Sequence, residues 1–393
     1  MIIFGIVSEY NPMHFGHIYQ IERIKKEYPN AYIVSLTSAS FVQRGEPSFI
    51  PKHSKSQIAL DNGVDLVLEM PTIISIQSAN YFSYYSCYLL NKLNILTHLS
   101  FGMEDLSKDD IKNYIDFTNI NDEKIQEAVK NYMDLGYSYK LANYEAYKDL
   151  AYEKIDSIIK PNNSLGLLYS KALDMLGSSI EISPIERSDR GYHEESLSED
   201  RIQSATSIRK AYLSGENIQK YLPFNIDNYK EELAKVSLDD LSKIFYYKSF
   251  IEEKNPDYIA SYENGLLTLL KSHFSNSLEE MIEKSHNKRY SKSRLRRFIL
   301  NYILGISETD ISNLKHLSYI RPIAFNDKGR ELLRLIKDNS DVTIINKPSK
   351  AELDPINQRF LEIDMKAFML YNINKPSRNN LDYTINPFKE KRP

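Results

Sequence analysis

The chain has 393 residues, of which 42% are hydrophobic and 26% are charged, and its formal net charge is -3. These values are those of folded globular proteins and exclude disordered and fibrous chains, while the length exceeds what one hydrophobic core usually supports. The one cysteine, Cys87, cannot form an intramolecular disulfide, and no Cys/His cluster has the spacing of a structural zinc site. The apolar start reaches Glu9 too early for a signal peptide or a membrane span. We therefore expect two domains, no metal ligands, no membrane segment and a cytoplasmic location.

The first half alternates short apolar runs with amphipathic stretches, a pattern typical of an α/β fold. The apolar runs are rich in Ile, Val and Leu, as expected for strands of a parallel sheet that are buried on both faces. Ligands of such sheets bind beyond the carboxyl ends of the strands. We predict strands at residues 2–7, 31–37, 66–69, 97–101 and 180–185, and helices at residues 16–28, 52–62, 78–93, 111–135 and 164–176.

The second half has a different pattern, because from about residue 205 the periodicity is helical and few strands are indicated. The fold class that we expect is α/β, with a Rossmann-like parallel sheet in a first domain, residues 1–210, and a mostly helical second domain, residues 211–393. Helices of the second domain are predicted at residues 238–250, 264–278, 291–304 and 329–337, with one late strand at residues 342–345.

The strongest local signal follows the first predicted strand, where residues 9–17 read Glu-Tyr-Asn-Pro-Met-His-Phe-Gly-His. Pro12 ends the strand and His14 opens the next helix. A helix N-terminus offers unpaired N–H groups and partial positive charge, which suit the phosphates of a nucleotide. His14 and His17 would add donors to the same phosphates, and Gly16 would let the nucleotide approach the backbone. In an arbitrary sequence such histidines are more often a helix cap and a core side chain, but the position after the first strand favours a phosphate site.

These residues resemble the H-x-G-H superfamily of nucleotidyltransferases and class I synthetases, whose two histidines contact ATP phosphates. Further segments at residues 38–47, 62–71, 101–104 and 161–166 resemble the tRNA(Met) cytidine acetate ligase family in order and approximate spacing, and the resemblance spans most of the chain. It implies an ATP-dependent ligase that forms a carbon–nitrogen bond and activates acetate as acetyl-adenylate. The acetyl group would then pass to the wobble cytidine of elongator tRNA(Met), giving N4-acetylcytidine. Mg²⁺ is the expected helper of the phosphate chemistry.

The functional residues of the family carry over to positions of this chain. His14 and His17 are the expected catalytic residues. Gly102 alone would be an ordinary turn glycine and Arg187 alone a member of a solvated charge cluster, so their assignment depends on the resemblance. ATP contacts are implied for Val7, Ser8, Glu9, Tyr10, Asn11, Pro12, Met13, His14, Phe15, Gly16, His17, Ile18, Tyr19, Gln20, Gly102, Asn162, Arg187 and Ser188.

A second phosphate-binding segment is expected at residues 204–209, Ser-Ala-Thr-Ser-Ile-Arg, which resemble the second signature of the superfamily. Ser204 and Thr206 would meet the β- and γ-phosphates, and Arg209 would supply countercharge. The same residues also fit a helix N-cap, and both roles can hold at once.

The loop at residues 38–46 carries Gln43, Arg44 and Glu46 between two apolar runs, and it should lie over the same sheet edge. We expect a substrate or tRNA contact there. The dipeptide Ala39-Ser40 stands where the family usually has Gly and Asn, so the residues that contact acetate stay undefined.

A basic stretch at residues 284–297 contains seven Lys or Arg and no acidic residue. Such a surface binds a polyanion by neutralising phosphates and releasing counterions, and Tyr290 would stack on a base. A solvated helix face is the usual explanation of a charge run, but seven uncompensated charges repel one another unless a partner offsets them. Arg321, in a segment that also resembles the family, is a further candidate. The expected tRNA contacts are Lys288, Arg289, Arg296, Arg297 and Arg321.

Two other functions fit parts of the sequence. A small-molecule adenylyl- or cytidylyltransferase would share the histidine motif, but such enzymes usually stop near the end of the α/β domain. A non-catalytic RNA-binding protein with a degenerate nucleotide fold would not need intact His14, Gly16 and His17. The ligase is therefore the leading hypothesis, and the sequence leaves the oligomeric state open.

Overall fold

The computed structural model describes residues 1–186, 203–233, 236–374, 382 and 387–389. Its centre is a sheet of seven strands, and two further strands pair separately. The strands are β1 (Ile3–Ser8), β2 (Tyr32–Ser38), β3 (Leu66–Met70), β4 (His98–Met103), β5 (Glu181–Glu186), β6 (Tyr319–Ile320), β7 (Pro322–Phe325), β8 (Thr343–Ile344) and β9 (Phe388–Lys389). The large sheet has the order β5–β4–β1–β2–β3–β7–β9, and β6 pairs with β8.

The five strands predicted in the first half are confirmed, and all of them pair in parallel. Strand β1 is central, with β2 on one side and β4 on the other. Every residue of β3 is buried, and so is every residue of β2 after Tyr32, which explains why the apolar residues of these strands do not alternate regularly with polar ones. The carboxyl ends of β1, β2 and β4 consequently meet at one edge of the sheet.

Helices connect these strands and make up most of the second half. Their starts often carry a local cap, such as Ser107, whose hydroxyl accepts from Asp110 N. The α-helices are α1 (Phe15–Glu27), α2 (Lys52–Asp61), α3 (Thr72–Ser75), α4 (Ala79–Lys92), α5 (Lys108–Asp134), α6 (Tyr139–Asp149), α7 (Ile155–Ile158), α8 (Pro161–Met175), α9 (Ala205–Leu213), α10 (Ser242–Tyr246), α11 (Leu266–Ser272), α12 (Leu278–Ser285), α13 (Lys292–Leu304), α14 (Glu308–Ser312), α15 (Asp327–Asn339) and α16 (Pro355–Tyr371).

Two predicted helices of the second half differ from the structure. The predicted helix at residues 264–278 is wrong, because α11 ends at Ser272 and α12 starts anew, with Ser277 as an N-cap that accepts from Glu280 N. The predicted helix at residues 238–250 is a short α10 that continues into a π-helical turn, Tyr247–Ile251. In both cases the apolar residues continue across a local break in the backbone, so periodicity alone does not reveal it.

The second half also contributes strands to the main sheet, which we did not predict. Strand β7 pairs antiparallel with β3, and β9 pairs in parallel with β7. The four residues of β7 are all buried, but a run so short carries no usable periodicity. The predicted fold class, a largely parallel α/β sheet followed by a mostly helical region, is confirmed. The domain boundary at residue 210 stays a prediction, since one buried cluster includes Leu68 and Leu361 from the two halves.

The long helix α16 attaches the second half beside the carboxyl end of β3. Its Asp364 side chain accepts a 2.6 Å hydrogen bond from Thr72 N, and the Tyr371 hydroxyl donates a 2.7 Å bond to Ser48 O. Asp354 caps its start by accepting from Ile356 N and Asn357 N. These contacts hold the second half against the sheet edge at which ligands of α/β proteins bind.

Candidate active site

The turn between β1 and α1 is shaped by the motif residues themselves. Tyr10 has a left-handed backbone with φ of 43°, and the Asn11–Pro12 peptide bond is cis. The Asn11 side chain accepts a 2.7 Å hydrogen bond from Phe49 N, which ties the turn to the loop before α2. The turn therefore has a defined path from the end of β1 to His14, the N-cap of α1.

The two histidines form a packed pair with ring centroids 3.9 Å apart. His14 Nδ1 accepts a 3.0 Å hydrogen bond from Gly16 N, and His17 Nδ1 accepts a 3.1 Å bond from His14 N. Because each Nδ1 atom accepts, a neutral ring carries its hydrogen on Nε2. The capping interpretation of His14 is correct.

A pocket of about 580 Å³ opens at the carboxyl edge of the sheet, and both histidines line it. This volume lies in the range of small-molecule sites. The structure brings together here most of the residues for which we expected ATP contacts: Val7, Ser8, Glu9, Tyr10, Asn11, His14, His17, Gln20, Gly102, Asn162, Ser204, Thr206 and Arg209.

Other expected ATP contacts lie elsewhere. Met13 is buried in the core that packs α1 on the sheet, and Ile18 packs against the same core. Gly16 does not offer its N–H to the pocket, because that N–H donates to His14. Tyr19 lines a separate cavity of about 460 Å³ together with Arg23. Two further residues of the motif, Pro12 and Phe15, do not line this pocket, and Arg187 and Ser188 lie outside the described residues.

The wall formed by β4 and α8 depends on a close approach of the two elements. A Cβ atom at Gly166 would come within 2.5 Å of Met103 Sδ and 2.8 Å of the Phe101 ring, so glycine is needed for this contact. Asn162, in the first turn of α8, donates a 2.7 Å side-chain hydrogen bond to Glu104 Oε1. Gly102 and Asn162 are thereby held on the same side of the pocket.

Helix α9 brings the second predicted segment to the pocket. Ser204 is its N-cap and accepts a 3.1 Å hydrogen bond from Ser207 N, so the capping interpretation is correct here too. Arg209 donates a 2.7 Å hydrogen bond to Asn11 O and forms a 3.0 Å ion pair with Glu46. The guanidinium thus joins the first motif to the loop after β2.

The loop after β2 forms a tight turn over the pocket, in which Val42 N donates to Glu46 O. Glu9 Oε1 accepts a 2.6 Å hydrogen bond from Gln43 N, so the end of β1 holds this loop. Gln43, Arg44 and Glu46 all line the pocket, as the sequence suggested for this loop. Sequence reasoning missed other lining residues, because the helices that carry them show no chemical signature: Lys140, Ser164, Leu165 and Tyr169.

Burial perturbs two neighbouring groups beneath this loop. Burial raises the pKa of the Glu9 carboxyl, although the Gln43 N–H and nearby Lys55, Arg209 and Arg44 act in the opposite direction. Burial also lowers the pKa of Lys55 to about 7, against the raising effect of Glu9. Lys55 Nζ donates to Glu9 O at 3.1 Å and to Ser48 Oγ at 2.8 Å.

The basic stretch at residues 284–297 is not the uncompensated surface that we expected. Carboxylates from outside the stretch pair with most of its arginines: Arg294 pairs with Glu263 at 2.7 Å, and Arg296 pairs with Glu279 at 2.6 Å. Arg289 also pairs with Glu263, Arg296 also pairs with Glu46 at 3.1 Å, and Lys284 and Lys292 have partners in Glu280 and Glu283. The argument from mutual repulsion is therefore wrong.

The expected tRNA contacts within the stretch differ in accessibility. Lys288 and Arg289 are exposed, and Lys288 forms no ion pair within the described part of the chain. Arg297 donates to Gln43 O at 3.3 Å, and burial lowers its pKa to about 10. Tyr290 is only 7% exposed and lies under the Arg294 guanidinium, so it offers no ring face to a base.

Arg321 corrects a further expectation. It is 5% exposed, and its guanidinium donates to Asp382 at 2.7 and 2.8 Å and pairs with Glu69 at 2.9 Å. Lys52 Nζ lies 2.7 Å from both of these carboxylates. Arg321 thus belongs to a buried charge cluster and not to a tRNA-binding surface.

The described residues contain no group of three or more His, Cys, Asp or Glu side chains that could hold a metal ion. None of the described helices is both long and apolar enough to cross a membrane.

Comparison with known proteins gives a consistent result. The family model described as HIGH Nucleotidyl Transferase matches residues 1–384. A protein of Clostridium perfringens strain SM101 named tRNA(Met) cytidine acetate ligase is 35% identical, and the alignment covers 98% of this chain and 99% of that protein. A protein of the same name from Clostridium novyi is 33% identical, with 98% and 99% covered.

Solved structures agree with the sequence relatives. The apo crystal structure of Thermotoga maritima TmcAL is 25% identical and superimposes with a TM-score of 0.89 over 99% of both chains. The same protein bound with alpha-thio ATP gives a TM-score of 0.85 at 26% identity, again over 99% of both chains. The histidine pair, the pocket and these matches over nearly the full length show that the chain belongs to the tRNA(Met) cytidine acetate ligase family of HIGH nucleotidyl transferases.

Proposed function

We propose that this protein is an ATP-dependent tRNA(Met) cytidine acetate ligase. Acetate attacks the α-phosphorus of ATP, pyrophosphate leaves, and acetyl-adenylate forms. The exocyclic amine of the wobble cytidine of elongator tRNA(Met) then takes the acetyl group, and AMP leaves. The observation that carries the proposal is that His14, His17 and Arg209 line one pocket in a chain that matches such ligases over 98% of its length.

The first half-reaction needs positioning and charge neutralisation more than proton transfer. The Nε2–H groups of His14 and His17 donate to phosphate oxygens as charge develops on the leaving pyrophosphate. Ser204 and Thr206 bind the β- and γ-phosphates at the start of α9, and Arg209 supplies countercharge. His14, His17, Ser204 and Thr206 come from the starts of α1 and α9, and Arg209 is held by Asn11 O and Glu46, so little reorganisation is required during the reaction.

The adenosine lies against β4 and α8, where Gly102 leaves room and Asn162 offers polar atoms. Mg²⁺ bound to the ATP phosphates is the expected helper of this chemistry. The metal would neutralise phosphate charge there, while the side chains named above orient the nucleotide.

The tRNA binds along the surface that starts at the exposed residues Lys288 and Arg289 and leads to the pocket through α13. Ser293 supports this route, because it is the second residue of α13 and also lines the pocket. Phosphate contacts of this kind provide affinity and position the RNA. We also propose that the protein works in the cytoplasm, where its tRNA substrate is found.

The test is to incubate the protein with labelled acetate, ATP and purified elongator tRNA(Met), and to search the digested RNA for N4-acetylcytidine. The same tRNA with its wobble cytidine replaced by uridine is the control and should stay unlabelled. Absence of acetylcytidine, with pyrophosphate released on a small-molecule acceptor, would favour an adenylyl- or cytidylyltransferase. Binding of tRNA without any pyrophosphate release would favour a non-catalytic RNA-binding protein.

A further inference from the structure

Among the described residues, two carboxylates line the ATP pocket, Glu9 and Glu46, and their surroundings differ. Glu46 lies between two guanidinium groups, with Oε2 3.0 Å from Arg209 and Oε1 3.1 Å from Arg296. Both of its oxygens are therefore occupied by permanent cations. Such a carboxylate stays ionised and acts as a counterion, not as a proton acceptor.

Glu9 has no guanidinium on either oxygen. The one hydrogen bond of its carboxylate in the described structure is the 2.6 Å bond that Oε1 accepts from Gln43 N. Lys55 acts electrostatically on the Glu9 carboxylate, but its Nζ donates to the backbone oxygen of Glu9 and to Ser48. The carboxyl group is therefore fixed in place at the end of β1, directly at the pocket, while its charge is only partly compensated.

The second half-reaction of the proposed function needs a proton acceptor. When the N4 atom of cytidine attacks the acetyl carbonyl carbon, a C–N bond forms and the bond from that carbon to the AMP oxygen breaks. The nitrogen then carries one hydrogen too many, and AMP departs with the electron pair of the broken bond. A base must take the proton from N4 as the C–N bond forms.

We propose that Glu9 is this base, a catalytic residue of acetyl transfer that is distinct from the adenylylation groups. The inference rests on the proposed function. The histidines are less suited, because each accepts a backbone N–H at Nδ1 and so presents a donor at Nε2. Lys55 is 1% exposed and its ammonium is held by two acceptors, which keeps it from the substrate.

The environment of Glu9 supports this role. Burial raises the pKa of its carboxyl, which makes its carboxylate a stronger base than an exposed one. Because the pKa is raised, the fraction of ionised Glu9, and with it the transfer rate, should rise with pH above the ordinary glutamate range and then become constant. The titratable and charged groups that face it come from several elements: Lys55 on α2, Arg44 on the loop after β2, Arg209 on α9, Tyr169 on α8, and His14 and His17 at the start of α1.

The experiment separates the two half-reactions in the full-length protein. Exchange of labelled pyrophosphate into ATP in the presence of acetate reports adenylylation without tRNA. Prepared acetyl-adenylate mixed with elongator tRNA(Met) reports transfer. The variant Glu9→Gln keeps the oxygen that accepts from Gln43 N, so the loop stays in place. We expect transfer to slow by about 100-fold, which is at least about tenfold more than the loss in exchange.

The matched control is Glu46→Gln on the same pocket. It removes the counterion of Arg209, so exchange should fall at least as much as transfer. The pH dependence of transfer should disappear in Glu9→Gln and persist in Glu9→Asp. If Lys55 were the titrating group instead, the pH dependence would persist in both variants.

Three results would overturn the assignment: wild-type transfer rates in Glu9→Gln, equal losses in both half-reactions, or an unchanged pH profile. A wild-type protein that exchanges pyrophosphate but acetylates no tRNA would instead refute the proposed function itself.

Discussion

Replacing Arg321 by alanine should destabilise the protein strongly without acting on tRNA directly. The guanidinium makes hydrogen bonds of 2.7, 2.8 and 2.9 Å to the Asp382 side chain and backbone oxygen, and its ion pair with Glu69 measures 2.9 Å. Without it, two carboxylates that are at most 3% exposed must share Lys52 as their cation. Removing one partner of a buried charge cluster costs about 3–5 kcal/mol, because the remaining charge has lost both water and partner.

The assay is urea unfolding followed by circular dichroism, with tRNA affinity measured where the variant is still folded. The control is Arg330→Ala, since Arg330 is only half-buried and its 2.9 Å pair with Asp327 lies within one helical turn. That change should cost less than about 0.5 kcal/mol. A loss below about 1 kcal/mol for Arg321→Ala, together with weaker tRNA binding, would refute the structural role.

The same cluster predicts a pH dependence. Burial alone would raise the pKa of Asp382, but Lys52, His53 and Arg321 hold it below the usual value of 3.8. A carboxyl group whose pKa is lowered on folding stabilises the protein above its unfolded pKa and loses that contribution as the pH falls. The difference in unfolding free energy between wild type and Arg321→Ala should therefore be largest at neutral pH and shrink as the pH falls below 3.8.

Further predictions concern the pocket and the basic stretch. His14→Ala should lower pyrophosphate exchange by about 100-fold and unfolding free energy by about 1 kcal/mol, whereas His14→Asn should restore the cap and the stability but not the activity. Lys288→Ala should weaken tRNA binding and lower its salt slope by about 1, as measured by filter binding at several salt concentrations. Gly45→Ala should weaken ATP binding in calorimetry, because φ is 75° and the new Cβ would lie 2.7 Å from Arg296 Cβ. Unchanged ATP affinity would show that the loop can move away from α13.

Local sequence determined much of the first half. The apolar runs predicted β1 to β5, and β1 to β3 are rich in Ile, Val and Leu because they are almost entirely buried, whereas β5 is a partly exposed edge strand. The segment at residues 9–17 predicted the turn and the start of α1, since Pro12 restricts its own backbone and the His14 side chain caps the helix. Resemblance then added Gly102, Asn162 and Arg209, which no local rule would have joined to the histidines.

Only the tertiary structure decided which charged residues are buried or paired. The sequence suggested an RNA contact at Arg321, but β7 pairs with β3 in the sheet, and the Arg321 guanidinium is buried against Glu69. The arginines of the basic stretch looked uncompensated because their partners, Glu46 and Glu263, lie far away or outside the run in sequence. Charge pairing acts through space, so a run of like charges in sequence does not establish a charged surface.

The histidine motif illustrates both contributions. Its sequence determined the cap, the backbone turn and the chemistry of two imidazoles, because these depend on residues within one helical turn. The tertiary structure decided which residues line the pocket. It excluded Gly16 and Met13 and added Lys140 and Tyr169. The reason is physical: local conformation follows from neighbouring residues, whereas the composition of a pocket depends on which distant elements pack against one another.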